Sequence, residues 1–285
     1  MKKTGILKTV ESNLPAASEL LKDLIRIPST RGNEKNISRF LKSRIEEYAD
    51  HSELVIIPNS IMEDPDYSFR LADFKYTGEA NLRLQLRGKH QEKTIAFNTH
   101  LDVVPATVGQ DKAFSPFVEN NKIYGRGAID CKGQIVTLWL MLKTLYDAGL
   151  KPGGDITLDF VIEEECGGNG SLAVVRNGLE ADAAIILEPT SLHVVHLVRG
   201  AVWFEVETSG RAGHSGSPDS TVSALKEAIR AMDSIEEVRE KLLRVSRKKV
   251  VKIADHPNPM PCTFGMLHSG NWPAAAPSEG VVKGV

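Results

Sequence analysis

The chain has 285 residues, 41% hydrophobic and 25% charged, with 35 Lys and Arg against 37 Asp and Glu for a formal net charge of -2. This composition excludes wholesale disorder, collagen and coiled coil, and its balance gives no electrostatic reason to expect nucleic acid or an anionic membrane as partner. No apolar run approaches the roughly 20 residues that span a bilayer, and Cys131, Cys166 and Cys262 are too few and too scattered for a disulfide framework. The basic start, Met1–Lys8, lacks the apolar stretch of a secretory signal, so a reducing, cytoplasmic setting is expected.

Residues 15–27 have the spacing of an amphipathic helix that stops at Pro28, because the residue before a proline avoids the helical region. A second helix is expected over 34–48. Leu82, Leu84 and Leu86 alternate in a half-buried strand, and 94–98 is a short buried strand. Ile135, Leu138, Leu142 and Leu145 mark a helix over 134–148 that ends near Gly149. Ile156, Leu158, Phe160 and Ile162 alternate along a strand over 155–162, and Ala183–Leu187 is a further buried strand. Strands alternating with helices predict an α/β fold: a mixed central sheet with helices on both faces.

From about residue 200 the texture changes. Val202, Phe204 and Val206 alternate as a strand, and a helix follows Pro218-Asp219-Ser220 with Val222, Leu225, Ile229 and Met232 on one face. This divides the chain into a larger domain, 1–199, and a smaller one, 200–285. The run Arg239–Lys252 holds seven Lys or Arg and one Glu; with the overall charge balanced, it is a solvated helix face rather than a nucleic-acid site.

The chemistry collects directly after the strands. Strand 94–98 is followed by Thr99-His100-Leu101-Asp102, strand 155–162 by Glu163-Glu164-Glu165, and strand 183–187 by Glu188. In open α/β sheets the carboxyl ends of the strands form the ligand crevice. One edge therefore receives an imidazole and several carboxylates, a conflict of like charges that a divalent cation resolves. Imidazole plus carboxylate suits zinc, and two close metals suit hydrolysis. Asp130, just ahead of the 134–148 helix, ends a long glycine-bearing loop and can reach the same edge; loops of that length are usually functional.

Four strings occur in order: Asn98–Val104, Tyr124–Gly133, Glu164–Gly168 and Leu187–Thr190. Together they resemble the acetylornithine deacetylase, succinyl-diaminopimelate desuccinylase and carboxypeptidase G family of dizinc amidohydrolases. The resemblance implies a zinc-dependent hydrolase that cleaves the C–N amide bond of an N-acyl amino acid or small peptide, with two Zn2+ per site and Co2+ or Mn2+ as substitutes. It implies His100, Asp130, Glu165 and Glu188 as metal ligands, with Asp130 bridging and joined to Cys131 by a cis peptide. Asp102 would orient His100, and Glu164 would be the general base. Gly213-His214-Ser215-Gly216 resembles the segment whose histidine polarises the scissile carbonyl in the partner subunit. Gly270–Pro277 resembles a later part of the same lid, which would be a partial α+β, ferredoxin-like dimerisation domain. A homodimer through the lid is thus implied.

The family pattern continues beyond Val285 to a last histidine ligand and a carboxylate-binding arginine, for which His51, His90, His193, His196, His256 and His268 are not placed to substitute; His193 and His196 are expected in a strand leading to the lid. The expectation is a fragment of a longer enzyme. Two other readings stand beside it: an inactive fragment holding at most one metal, and an aminopeptidase or dipeptidase of the same broad fold.

Overall fold

The computed structural model describes residues 3–68, 74–90, 93–216, 220–249 and 257–285. They form two compact units, Met1–Val195 and His196–Val285. Pro218, Asp219, His256 and the end of the basic run at 250–252 lie outside the described residues.

The first unit begins with α1 (Lys3–Ile25), α2 (Lys35–Ile45) and a 3-10 turn at Glu46–Tyr48. Strands β1 (His51–Ile56), β2 (Ala80–Leu86) and β3 (Thr94–His100) follow, then the short pair β4 (Phe117–Glu119) and β5 (Lys122–Tyr124). Helix α3 (Lys132–Asp147), strand β6 (Asp155–Val161), helix α4 (Asn169–Arg176) and strand β7 (Ala183–Ile186) complete it. The main sheet has the order β1-β2-β6-β3-β7. β3 runs parallel to β6 and β7, while β2 is antiparallel to both β1 and β6.

Period-two patterning decides which face is which. Leu82, Leu84 and Leu86 stand opposite Phe160, Leu158 and Ile156, and these six join the core formed with Leu20 and Leu24 of α1, Leu41 of α2 and Leu142 of α3. The opposite face is polar and receives α4: Asn81 Nδ2 donates to Gly170 O at 2.8 Å, beside the buried Arg83–Asp159 pair at 2.8 Å. The mixed sheet thus carries helices on both faces.

Several boundaries differ from the sequence reading. α1 starts twelve residues before 15 and passes through Pro15. Its buried positions Asn13, Ala17, Leu20 and Leu24 keep helical spacing across the proline, so packing outweighs the hydrogen bond that proline cannot donate. The helix expected over 34–48 is α for 35–45 only. β7 is not buried: it is a sheet edge, paired on one side, with Ile185 47% and Ile186 59% exposed.

The second unit contains β8 (Phe204–Ser209), β9 (Gly213–His214), α5 (Ala224–Lys249), β10 (Phe264–Ser269), β11 (Ala275–Ala276) and β12 (Glu279–Gly284). β12 lies between β10 and β8, antiparallel to both, and α5 packs on this sheet; β9 and β11 form a separate pair. Val202 precedes β8 and is exposed, and His193 and His196 lie in no strand. The buried stripe of α5 is Ala224 and Ala228, while Leu225 and Ile229 are exposed. Small residues face the sheet here, so a reading that seeks large apolar residues selects the wrong face.

Candidate metal centre

Three parallel strands end side by side. β3 finishes at His100, whose register partner on β6 is Val161, and β7 leads through Leu187, whose N–H donates to Asn98 O at 2.8 Å, to Glu188. The fourth contribution comes from the 103–131 loop. Asn120 and Asn121 take positive φ of 50° and 58° in the tight turn between β4 and β5. At Gly127, with φ of 83°, a Cβ would stand 2.7 Å from Val103 Cγ1, so a side chain there would push the loop off its seat. The loop closes with a cis peptide between Asp130 and Cys131.

His100 Nε2 lies 2.9 Å from Asp130 Oδ1 and 4.0 Å from both Glu164 Oε2 and Glu188 Oε2. Its Nδ1 lies 2.9 Å from the backbone carbonyl of Asp102, and 3.5 Å from the carboxylate Oδ1. The ring is fully buried and aims Nε2 at the carboxylates. Donor atoms from His100, Asp130, Cys131 and Glu188 all lie within 4.8 Å of one another. The Cys131 thiol donates toward Glu188 Oε2 at 3.2 Å and Asp130 Oδ1 at 3.3 Å; burial pushes it up to about 12, so it stays protonated and serves as a donor.

The electrostatics match a cation site. Burial, then the charges of Glu188, Asp102 and Asp130, raise Glu164 above the usual carboxylate range. Burial and the neighbouring Asp130 push Glu165 up to about 7, and burial raises Glu188. Burial alone would lower His100, but hydrogen bonds to Asp102, Asp130 and Cys131 outweigh it and raise the imidazole. An imidazole among converging carboxylates suits zinc, and the donor set fits the ion. Beside the cluster opens a cavity of about 650 Å³ whose walls include Val104, Tyr124, Ile129, Asp130 and Glu165.

The glutamate run divides. Glu163 is fully buried with φ of 57°, and its carboxylate turns away from the cleft to accept from Arg31 Nε at 2.6 Å and from the Tyr76 hydroxyl. Glu164 and Glu165 face the other way, and their backbone N–H groups donate to Asp102 Oδ1 at 3.1 Å and Oδ2 at 3.0 Å. The Asp102 carboxylate therefore holds the turn that carries two candidate functional residues while its Oδ1 also lies beside the His100 ring. After the turn, Gly167 has φ of 113° and a Cβ there would stand 2.3 Å from Ser68 Cβ.

His214 belongs to the second unit, where it is exposed on β9 and its Nδ1 accepts the Gly216 N–H at 3.0 Å. Nothing in the sequence points to Arg31 or Tyr76, and Cys131 stands out only as the residue joined to Asp130 by the expected cis peptide, not as a donor in the cluster. Arg31 has no local signal, since its partner Glu163 is 132 residues away.

The profile of peptidase family M20/M25/M40 matches residues 96–266. The chain belongs to this family. At 32% identity over 237 residues, the M20 chain is similar to a peptidase M20 domain-containing protein of Schizosaccharomyces pombe, covering 79% of this chain and 52% of that one. It is 28% identical over 225 residues to a probable carboxypeptidase of Aspergillus clavatus, covering 73% and 49%. It is 30% identical over 159 residues to N-formyl-4-amino-5-aminomethyl-2-methylpyrimidine deformylase of Bacillus subtilis, covering 52% and 36%. The chain thus spans about half the length of the first two relatives. Its fold is that of the solved di-peptidase Dug1p of Saccharomyces cerevisiae (TM-score 0.69, 14% identity, 99% of this chain and 71% of that one). Human carnosine dipeptidase 1 shares it (TM-score 0.67, 13% identity, 99% and 71%). Among the described residues no helix of the M20 chain is long and apolar enough to cross a membrane.

Proposed function

We propose that this M20 chain is the metal-binding and lid portion of a zinc-dependent hydrolase that cleaves the C–N amide bond of an N-acyl amino acid, of deacetylase or desuccinylase type, or of a small peptide. The convergence of His100, Asp130 and Glu188, with Glu164 beside them, carries this reading. Residues 1–199 hold the metal centre and 200–285 form the lid and dimerisation domain of a cytoplasmic homodimer. The names of the relatives support amide and peptide substrates alike, since they include a deformylase and a probable carboxypeptidase.

His100, Asp130, Glu165 and Glu188 would hold the metal; zinc there, or Co2+ or Mn2+ in its place, would supply Lewis acidity and acidify water. Glu164 accepts a proton from the attacking water and returns it to the leaving amine. Its raised affinity for protons, from burial and neighbouring carboxylates, suits a group that must both take and return a proton. His214 donates to the developing oxyanion from the partner subunit, an assignment resting on the resemblance of 213–216. Loss of one such donor typically costs roughly a hundred- to a thousand-fold in rate.

The test is hydrolysis of N-acetyl, N-succinyl and N-formyl amino acids and of dipeptides by the complete protein. Amine release that requires zinc or cobalt is expected. Turnover that survives chelation would overturn the reading.

A further inference from the structure

We infer that Arg31 is a positioning residue for the acidic turn, acting through Glu163 to set Glu164 and Glu165 in the cleft. The proposal rests on the functional reading above for what the turn does, but its geometry stands by itself. Three consecutive glutamates repel one another, and in a flexible turn all three would seek solvent. Here the first is withdrawn. Glu163 is fully buried, and Arg31, itself only 11% exposed at the side chain, donates Nε to its Oε1 at 2.6 Å. The Tyr76 hydroxyl donates to Oε2. Behind them Tyr67 and Tyr76 hydroxyls lie 3.1 Å apart, Arg31 Nη2 lies 3.4 Å from the Tyr67 hydroxyl, and the guanidinium sits over the Phe74 ring at 4.7 Å. The cation is held in a built pocket.

Withdrawing Glu163 has a consequence for the backbone. Its φ of 57° is a region that a glutamate rarely enters unless its surroundings hold it there. That conformation reverses the chain, so that the next two N–H groups point at Asp102, while the Glu164 carboxylate comes within 4.0 Å of His100 Nε2 and Glu165 lines the neighbouring cavity. The turn is gripped twice: by Arg31 and Tyr76 at the Glu163 side chain, and by Asp102 at the backbone of 164 and 165. Partners that orient ligands in this way are typically worth 10–100-fold in metal affinity or activity.

The test is amide hydrogen exchange on the 285-residue chain with chelator present, comparing the parent with Arg31→Met, Arg31→Lys and the double variant Arg31→Met/Glu163→Met. The double variant replaces a buried pair by apolar groups, which folded proteins generally tolerate. Exchange at the Glu164 and Glu165 amides is expected to rise about tenfold or more in Arg31→Met and in the double variant, while α2 and β6 keep their protection. Arg31→Lys is expected to recover most of the loss. Unchanged protection at Glu164 and Glu165 in the folded variants would overturn the proposal. A zinc titration of the same samples separates the two readings. Tenfold or weaker zinc binding in Arg31→Met is the expected result, and equal affinity counts against the proposal. Should the parent itself take no zinc, the functional reading fails while the exchange result still decides the role of Arg31.

Discussion

The buried His100 imidazole lies 2.9 Å from Asp130 Oδ1 with its Nε2 aimed outward from the sheet edge, although the two residues are 30 positions apart. Replacing His100 by Ala removes the neutralisable nitrogen and leaves Asp130 facing Glu164 and Glu188 without it. Zinc affinity is expected to fall by more than the roughly 10–100-fold that an outer partner is worth. Competition with a chromophoric chelator measures it.

Asp102→Asn is expected to weaken zinc binding by about 10–100-fold without removing a ligand. The aspartate accepts two backbone N–H groups, at 3.1 and 3.0 Å. An asparagine offers one carbonyl oxygen and puts an NH2 against the other donor. Zinc affinity alongside a thermal melt checks this; unchanged affinity in the folded variant contradicts it.

Lys132→Ala is expected to destabilise the first unit by roughly 2–4 kcal/mol, a large-to-small core change that also unpairs buried acceptors. Lys132 is fully buried, and its Nζ donates to Leu24 O at 2.9 Å and Ile27 O at 2.8 Å, carbonyls at and just past the end of α1. Burial pushes the Lys132 ammonium down to about 7, so it is the two hydrogen bonds rather than a full charge that hold this helix end. A shift in the urea midpoint reads the loss.

Glu34→Gln is expected to flatten the dependence of stability on pH. Glu34 is fully buried, and neither oxygen has a well-formed hydrogen bond among the described residues. Burial, with the charges of Asp102 and Glu163 adding to it, pushes the carboxyl up to about 8, and the nearby amides of Glu34 and Gly32 offset only part of this. From its ordinary value of 4.5 up to about 8, the unfolded chain has lost this proton and the folded chain keeps it. Stability therefore falls as pH rises across that window. At about 1.36 kcal/mol per unit, the cost reaches a few kcal/mol. Urea melts at pH 5 and pH 8 test it: the gain from Gln should be larger at pH 8, and an equal gain at both would contradict the assignment.

The strands that carry the site were legible because period-two alternation and the polar residue after each strand lie close together in sequence. His100 is the last residue of β3, and Glu164 and Glu188 come within three residues of the ends of β6 and β7. What was illegible depends on distant partners. Arg31 and Glu163 find each other only in the fold, and the inward turn of Glu163 looks like one more solvent-facing glutamate in a run of three. β1, with burial alternating between half-buried and exposed, has too little apolar contrast to announce itself. The α5 face was misread because Ala224 and Ala228 pack more closely against a sheet than the larger Leu225 and Ile229 beside them.

Anomalous diffraction at the zinc edge, from crystals of the chain grown with zinc, tests the centre most directly. The expected result is a peak within coordination distance of His100 Nε2 and of carboxylate oxygens of Asp130 and Glu188. A map with no peak there, or with zinc bound only at other side chains, would contradict it.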